Sequence, residues 1–176
     1  MRATTVLVEG ESDRVAVETL ARRAGHDLQA EHVTVVPMGG ATSVHRFLTR
    51  YGPAGADHRL LGLCDRAESS YVARALDRAG LGSTVPFHVC DADLEDELVR
   101  CLGTDPVLDV IAAAGELASF RLLQRQPAQR DRPLRNQLER FFAGRSGHKT
   151  TYARLLVEAL PPGVAPAPLA ALVASL

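Results

Sequence analysis

The chain has no tryptophan and a single lysine, and its three cysteines, Cys64, Cys90 and Cys101, form no CxxC pair. Without paired cysteines neither a zinc ribbon nor a disulfide framework is indicated, and each thiol reads as a small buried hydrophobe. The six histidines are scattered, with no HExxH and no pair at ligand spacing, so each reads as an isolated surface side chain. No apolar run approaches the roughly 18 residues of a membrane span. The opening MRATTVLVEGESD also lacks the basic, apolar and small-residue succession of a signal peptide. These absences predict a cytoplasmic protein with no membrane partner. A P-loop is missing too: GRSGHKT places His148 where a Walker loop needs glycine before lysine, so ATP hydrolysis by this chain alone is not expected.

What is present suffices for one ordinary core. Of 176 residues, 46% are hydrophobic and 23% charged, which allows one domain with a helical extension. Net charge is −1, yet it is unevenly spread. Residues 1–110 hold 17 acids and 11 bases, whereas residues 121–149 hold eight bases and two acids. That second stretch can lie along a polyanion, or be a solvated helical face. Nineteen of the twenty basic residues are arginine. A lone lysine, Lys149, is then easier to explain if its compact ammonium does something guanidinium cannot.

Hydrophobic periodicity alternates between the two regular structures. Thr4–Val8 reads as a strand, Glu9-Gly10 as its turn, and Ser12-Asp13 as the start of a helix. The move recurs with a strand at His32–Val36, a Gly39-Gly40 turn and a helix over Thr42–Tyr51. A third strand, Arg59–Cys64, closes on Asp65 and precedes a helix over Ser69–Ala79. A fourth, Val85–Cys90, precedes an acidic helix over Leu94–Leu102. Such alternation predicts an α/β fold with a parallel sheet of about four strands covered on both faces. Further helices are expected at Pro106–Ala114, Leu117–Gln126, Leu134–Ala143 and His148–Leu160. PPGVAPAP then reads as a semi-rigid linker and Leu169–Leu176 as a short apolar tail. The expected organisation is an α/β core over 1–104, a helical extension over 105–160, and a linker with tail over 161–176.

In open parallel sheets ligands bind beyond the carboxyl ends of the strands. Here those positions hold Glu9, Gly39-Gly40, Asp65 and the Asp91–Glu97 cluster, so three of the four strand exits carry carboxylates. Hard divalent cations favour such oxygen ligands. Acids at strand exits also cap helix N-termini, a reading open to Asp13 and Asp93. Capping does not account for Glu9, which follows its strand directly and precedes a glycine.

VEGESDRV after a first strand, an aspartate ending the third strand, DLED opening a later helix and a downstream lysine together resemble the TOPRIM domain, most closely that of OLD-family (overcoming lysogenization defect) nucleases. The resemblance spans about residues 4–160. It implies a TOPRIM Rossmann-like sheet and a Mg2+- or Mn2+-dependent endonuclease. By that resemblance Glu9 and Asp13 would hold one metal, Asp65 would bridge two, Glu95 would help hold the second, and Lys149 would support the phosphate or the transition state. Glu9 and Lys149 are thus the expected catalytic residues, and Glu11 is a possible extra ligand. Lys149 lies where a glycine-containing turn enters a helix, which would aim its ammonium at an anion.

Two departures from the family pattern stand out. Where the family has DxD after the third strand, this chain has Asp65-Arg66-Ala67 followed by Glu68, so Glu68 must reach in, or the second metal is weakly held, or catalysis is lost. OLD proteins also carry an ATPase domain ahead of the TOPRIM domain, which points to a separate ATPase partner here. Nucleic acid, DNA in preference to RNA, is the expected partner, contacted through Arg121, Arg125, Arg132, Arg135 and Arg145. The first four would fall at roughly one-turn intervals. A homodimer is a further expectation. Two other readings compete: a catalytically degenerate TOPRIM module that binds nucleic acid or a partner protein, supported by Ala67, and another phosphate-handling enzyme such as a phosphatase or receiver-like domain. The last would call for aspartate where this chain has Glu9.

Overall fold

The structure is a computed structural model that describes residues 2–176. Its centre is an all-parallel four-stranded sheet in the order β2-β1-β3-β4. The strands are β1 (Thr4–Val8), β2 (Val33–Pro37), β3 (Arg59–Asp65) and β4 (Phe87–Cys90). β1 is buried at every position. Its run of β-branched and apolar residues suits a strand covered on both faces.

Side chains alternate across that strand and divide the core in two. Val6 and Val8 face α1 (Glu11–Arg23), α4 (Leu94–Leu102), α8 (His148–Ala159) and α9 (Ala167–Val173). Leu7, with Leu60 and Cys64 of β3, faces α2 (Val44–Tyr51) and α3 (Arg66–Arg78). α5 (Thr104–Ala113), α6 (Leu117–Gln124) and α7 (Leu134–Phe142) extend the first of these clusters. The expected doubly covered parallel sheet with a helical extension is therefore what the chain forms.

Small boundary shifts have local causes. β4 begins at Phe87 and not Val85, because Pro86 has no N–H for the ladder while its carbonyl accepts from Gly62. Gly62 also has a steric role: a Cβ there would lie 2.2 Å from the ring of Phe87, so the ring packs only on bare backbone. α3 starts three residues earlier than expected, directly at the exit of β3 with Asp65 as its N-cap. Glu68 therefore falls in the first turn of the helix.

Residues 161–176, expected as a linker and an apolar tail, need correcting. They include α9, which packs on β3, β4 and α1 with Leu169 and Leu172 fully buried. Pro168 misleads the reading, since a proline in the first helical turn removes no needed hydrogen bond. The apolar residues Leu169, Leu172, Val173 and Leu176 keep helical spacing. Arg59 pins the end by donating to the carbonyls of Ser175 (2.6 Å) and Leu176 (3.0 Å). Each leucine so buried contributes roughly 1.5–3 kcal/mol, so this segment is part of the core. Among the described residues no helix is long and apolar enough to cross a membrane.

Candidate functional site

The carboxyl ends of β1 and β3 and the first turns of three helices converge on one cavity of about 310 Å³. Glu9, Asp13, Asp65, Asp93, Glu95 and Lys149 line it. Glu9 leaves β1 with its carbonyl held by the backbone N–H groups of Gly39 (3.0 Å) and Gly40 (3.1 Å). Asp13 sits on the first turn of α1, where one carboxylate oxygen accepts from the Gly10 N–H at 2.8 Å. Asp65 is the last residue of β3. Asp93 caps α4 by accepting from the Asp96 N–H at 2.8 Å, and Glu95, only 4% exposed, follows in the same turn. Capping and facing the cavity are thus compatible for Asp13 and Asp93, whose carboxylates do both.

Lys149 enters from the opposite wall. Gly147 precedes α8 with φ 77°, a left-handed turn that glycine adopts without strain, and Lys149 is the second helical residue. Its Nζ lies 3.3 Å from Glu95 Oε2 and 3.9 Å from Asp93 Oδ2. Burial pulls the ammonium's pKa down, but Glu95 and Asp93 outweigh it and hold the pKa above its ordinary value.

Sequence reasoning treated every histidine as a surface group; His148 must be corrected. It is buried, with Nδ1 3.1 Å from the Phe141 carbonyl and Nε2 2.8 Å from Glu116. The hydroxyl of Tyr152, also buried, donates to the same Glu116 carboxylate at 2.9 Å. This network ties the first turn of α8 to the start of α6 and so fixes where Lys149 emerges. Only proximity in the fold reveals it, because Glu116 and His148 lie 32 residues apart in sequence. Asp93 was foreseen only as a cap, and Thr150, also lining the cavity, carried no sequence signal.

Carboxylates crowded without a cation repel one another, and protonation relieves the repulsion. Burial, followed by Glu68 and then Asp13, raises Glu9 to about 7. Burial and the Glu9 charge raise Asp65 to about 7. Asp13 is raised to about 6, mainly by burial, although the Gly10 N–H draws it down. Glu68 acts on both Glu9 and Asp65, and its Oε2 is buried with no hydrogen-bond partner. Starting α3 at the strand exit is what lets this residue reach the cluster, while Ala67 beside it is exposed. Glu95 Oε1 is likewise buried and unpartnered.

Among the described residues no group of three or more His, Cys, Asp or Glu is gathered closely enough to hold a metal ion. The donor chemistry nonetheless fits a hard divalent cation: the candidate ligands are all carboxylates, two of their buried oxygens lack a partner, and three of the groups are raised by burial and, after it, by one another's charge. Glu11 does not belong to this inner set. Although it borders the cavity it is exposed, its carboxylate pairs with Arg14, and that guanidinium lowers its pKa.

The arginine stretch is not the regular stripe expected. α6 ends at Gln124, and a turn-rich segment carries the chain to α7, so Arg121 and Arg125 are separated from Arg132 and Arg135 by a break in the helix. Arg121 donates to Gln124 (2.8 Å), Arg135 pairs with Asp96, and Arg145 lies 3.7 Å from Glu116. Arg125 and Arg132 are exposed.

Residues 3–59, from β1 to the start of β3, match the family described as overcoming lysogenization defect protein-like, TOPRIM domain. The match includes Glu9 and Asp13 but stops short of Asp65, Glu95 and Lys149. The fold as a whole is similar to the C-terminal region of the Xanthomonas campestris pv. campestris OLD protein. At 20% identity and a TM-score of 0.76, that likeness covers 98% of this chain and 91% of the other. The C-terminal region of the Burkholderia pseudomallei OLD protein is similar at 18% identity and a TM-score of 0.72, over 99% and 96% of the two chains. No curated protein matches the sequence.

Proposed function

We propose that this chain, whose residues 3–59 match the OLD-like TOPRIM family and whose fold is similar to the C-terminal regions of OLD proteins, carries a TOPRIM domain of the OLD type and is a divalent-metal-dependent nuclease that hydrolyses the phosphodiesters of DNA. The observation that carries this reading is the convergence of Glu9, Asp13, Asp65 and Glu95, from four different elements, on one cavity that also receives the only lysine. Glu9, Asp13 and Asp65 would hold one cation, and Asp65, Glu95 and Glu68 a second. When bound, such ions lower the pKa of a coordinated water and neutralise charge on the phosphate.

The reaction adds one water across one phosphodiester, giving a phosphomonoester and a hydroxyl. Glu9, which a bound cation would hold ionised, would accept a hydrogen bond from the attacking water and orient it. Lys149, kept protonated by its acidic neighbours, would place positive charge where negative charge develops on the phosphate oxygens. The His148–Glu116–Tyr152 network would keep that ammonium in position. Arg125 and Arg132 would contact the sugar-phosphate backbone.

With alanine and not a carboxylate at position 67, the second metal position would be the weaker one. Activity on plasmid or oligonucleotide DNA should therefore be stronger with Mn2+ than with Mg2+, which demands near-ideal octahedral geometry, and absent with chelator. Ala67→Asp should raise the Mg2+-supported rate by about tenfold. No cleavage with either ion, together with no gain from Ala67→Asp, would favour the second reading: a degenerate TOPRIM module that binds nucleic acid without cutting it.

A further inference from the structure

A second concave site lies on the opposite side of the sheet from α1, between α2 and α3. It has a volume of about 310 Å³ and is lined by His45, Tyr71, Arg74, Ala75 and Arg78. No carboxylate lines it. Among the described residues, His45, Arg74 and Arg78 form no ion pair. Arg14, Arg66, Arg100, Arg135 and Arg154 elsewhere are each matched to an acid. Gathering three basic groups around a concavity without an acid leaves a positive potential that an anion neutralises.

The placement ties this cleft to the carboxylate cavity. On α3, Glu68, Tyr71, Arg74 and Arg78 follow one another at spacings of three or four residues, so they share a face of the helix. That row begins at the group crowding Glu9 and ends at the basic cleft. Tyr71 is 36% exposed, and its hydroxyl donates to the Thr42 carbonyl (3.1 Å), which holds the ring at the cleft's edge. Thr42 is two residues beyond Gly40, whose N–H donates to Glu9. Ten residues of helix span about 15 Å, the reach of about four nucleotides along one strand of a duplex.

We propose that the α2–α3 cleft binds backbone phosphate of the nucleic acid, with Arg74 and Arg78 as the principal contacts, His45 assisting and the Tyr71 ring offering a face to a base. The choice of a nucleic acid as the polyanion rests on the nuclease reading, but the site is tested by binding alone. Anisotropy of a fluorescein-labelled DNA oligonucleotide, measured in chelator so that nothing is cut, would compare the unaltered protein with Arg74→Glu/Arg78→Glu across a salt series. The double variant should bind at least about tenfold more weakly near 100 mM salt. For Arg74→Ala/Arg78→Ala the slope of log affinity against log salt should shrink by about 1.4 for a single strand or 1.8 for a duplex, the value for two lost phosphate contacts. Arg74→Lys/Arg78→Lys should keep the original slope. All these side chains are exposed, so unchanged melting temperatures would certify the fold. Equal affinity and equal slope in the alanine variant would overturn the proposal, as would no binding of DNA by the unaltered chain. Binding of polyglutamate in place of DNA would give the cleft to an acidic protein and overturn it as well. Arginine-dependent binding without cleavage on adding Mn2+ would leave this proposal standing and sink only the nuclease reading.

Discussion

Glu9→Gln is expected to lower Mn2+-dependent cleavage by about three orders of magnitude while the metal-free protein melts about 3 °C higher. The two effects have one cause. Glu9 is the carboxylate closest to Glu68 in effect, and it also raises Asp65. Removing its charge removes a ligand from the site, a loss comparable to the largest effects of deleting one preorganised electrostatic group. Without metal the same change relieves repulsion among Glu68, Asp13 and Asp65. Half-burial of Glu9 tempers that relief, since solvent screens part of it. About 1 kcal/mol remains, and for a domain of this size that moves the melting temperature by about 2–4 °C. Cleavage assays and thermal melts of the same preparation check both halves. Full activity in the variant would remove Glu9 from the chemistry.

Lys149→Ala should separate binding from turnover. The rate of cleavage is expected to fall by about 10²–10³-fold, the cost of losing one donor aimed at developing charge. DNA affinity should change by less than about threefold, because one ammonium adds little to an arginine-rich surface. Mn2+ affinity should hold or rise, since Glu95 would then have no ammonium competing with the cation for its Oε2. Metal-free stability should fall by about 1 kcal/mol, a modest figure because Lys149 is half exposed. Lys149→Arg should not restore the rate fully, since a planar fork does not reproduce a compact point charge. Single-turnover rates set beside binding isotherms would check this, and an unchanged rate would return Lys149 to the role of a counter-ion for Glu95.

Much of this site was legible in the sequence because strand exits can be found by pattern. A β-branched run ending in Glu9-Gly10 and another ending in Asp65 mark two carboxyl ends of a parallel sheet, and such ends face one another across the crevice. Glu95 and Lys149 were picked out through the resemblance of DLED and the downstream lysine to the TOPRIM domain. What stayed hidden depends on packing between distant segments. Nothing near His148 announces Glu116, and nothing near Arg59 announces the chain end it holds. α9 was hidden because proline reads as linker even where the fold uses it in a helical first turn. The reach of Glu68 depended on a helix boundary, and a shift of three residues was enough to bring it against Glu9.

The basic surface shows the opposite failure, in which pattern promised more than geometry delivered. The two expected helices, Leu117–Gln126 and Leu134–Ala143, already left a gap, and α6 ends two residues sooner, so Arg125 and Arg132 both fall in the turns between α6 and α7. Arg135 then lies against Asp96 and Arg145 near Glu116. Counting charge along a sequence does not reveal which charges are already matched. The unpaired bases of the α2–α3 cleft were invisible for a related reason, being split between two helices that only the fold brings together, His45 on α2 and Arg74 and Arg78 on α3.

Carboxylates gathered to hold a divalent cation should make stabilisation by Mn2+ depend on pH. In the metal-free protein Glu9, Asp65 and Asp13 have folded pKa values raised to about 7, 7 and 6. Raised carboxylates stabilise the fold fully below their unfolded values, near 4, and that contribution is lost as pH rises through the folded values. Their charging weakens the fold over the range in which a cation would bind best. The rise in melting temperature caused by Mn2+ should therefore be near zero at pH 4.5 and grow steadily to pH 7.5. In Glu9→Gln it should be much reduced throughout. A stabilisation by Mn2+ that is the same at both pH values, or equally large in Glu9→Gln, would mean that these carboxylates do not hold the ion.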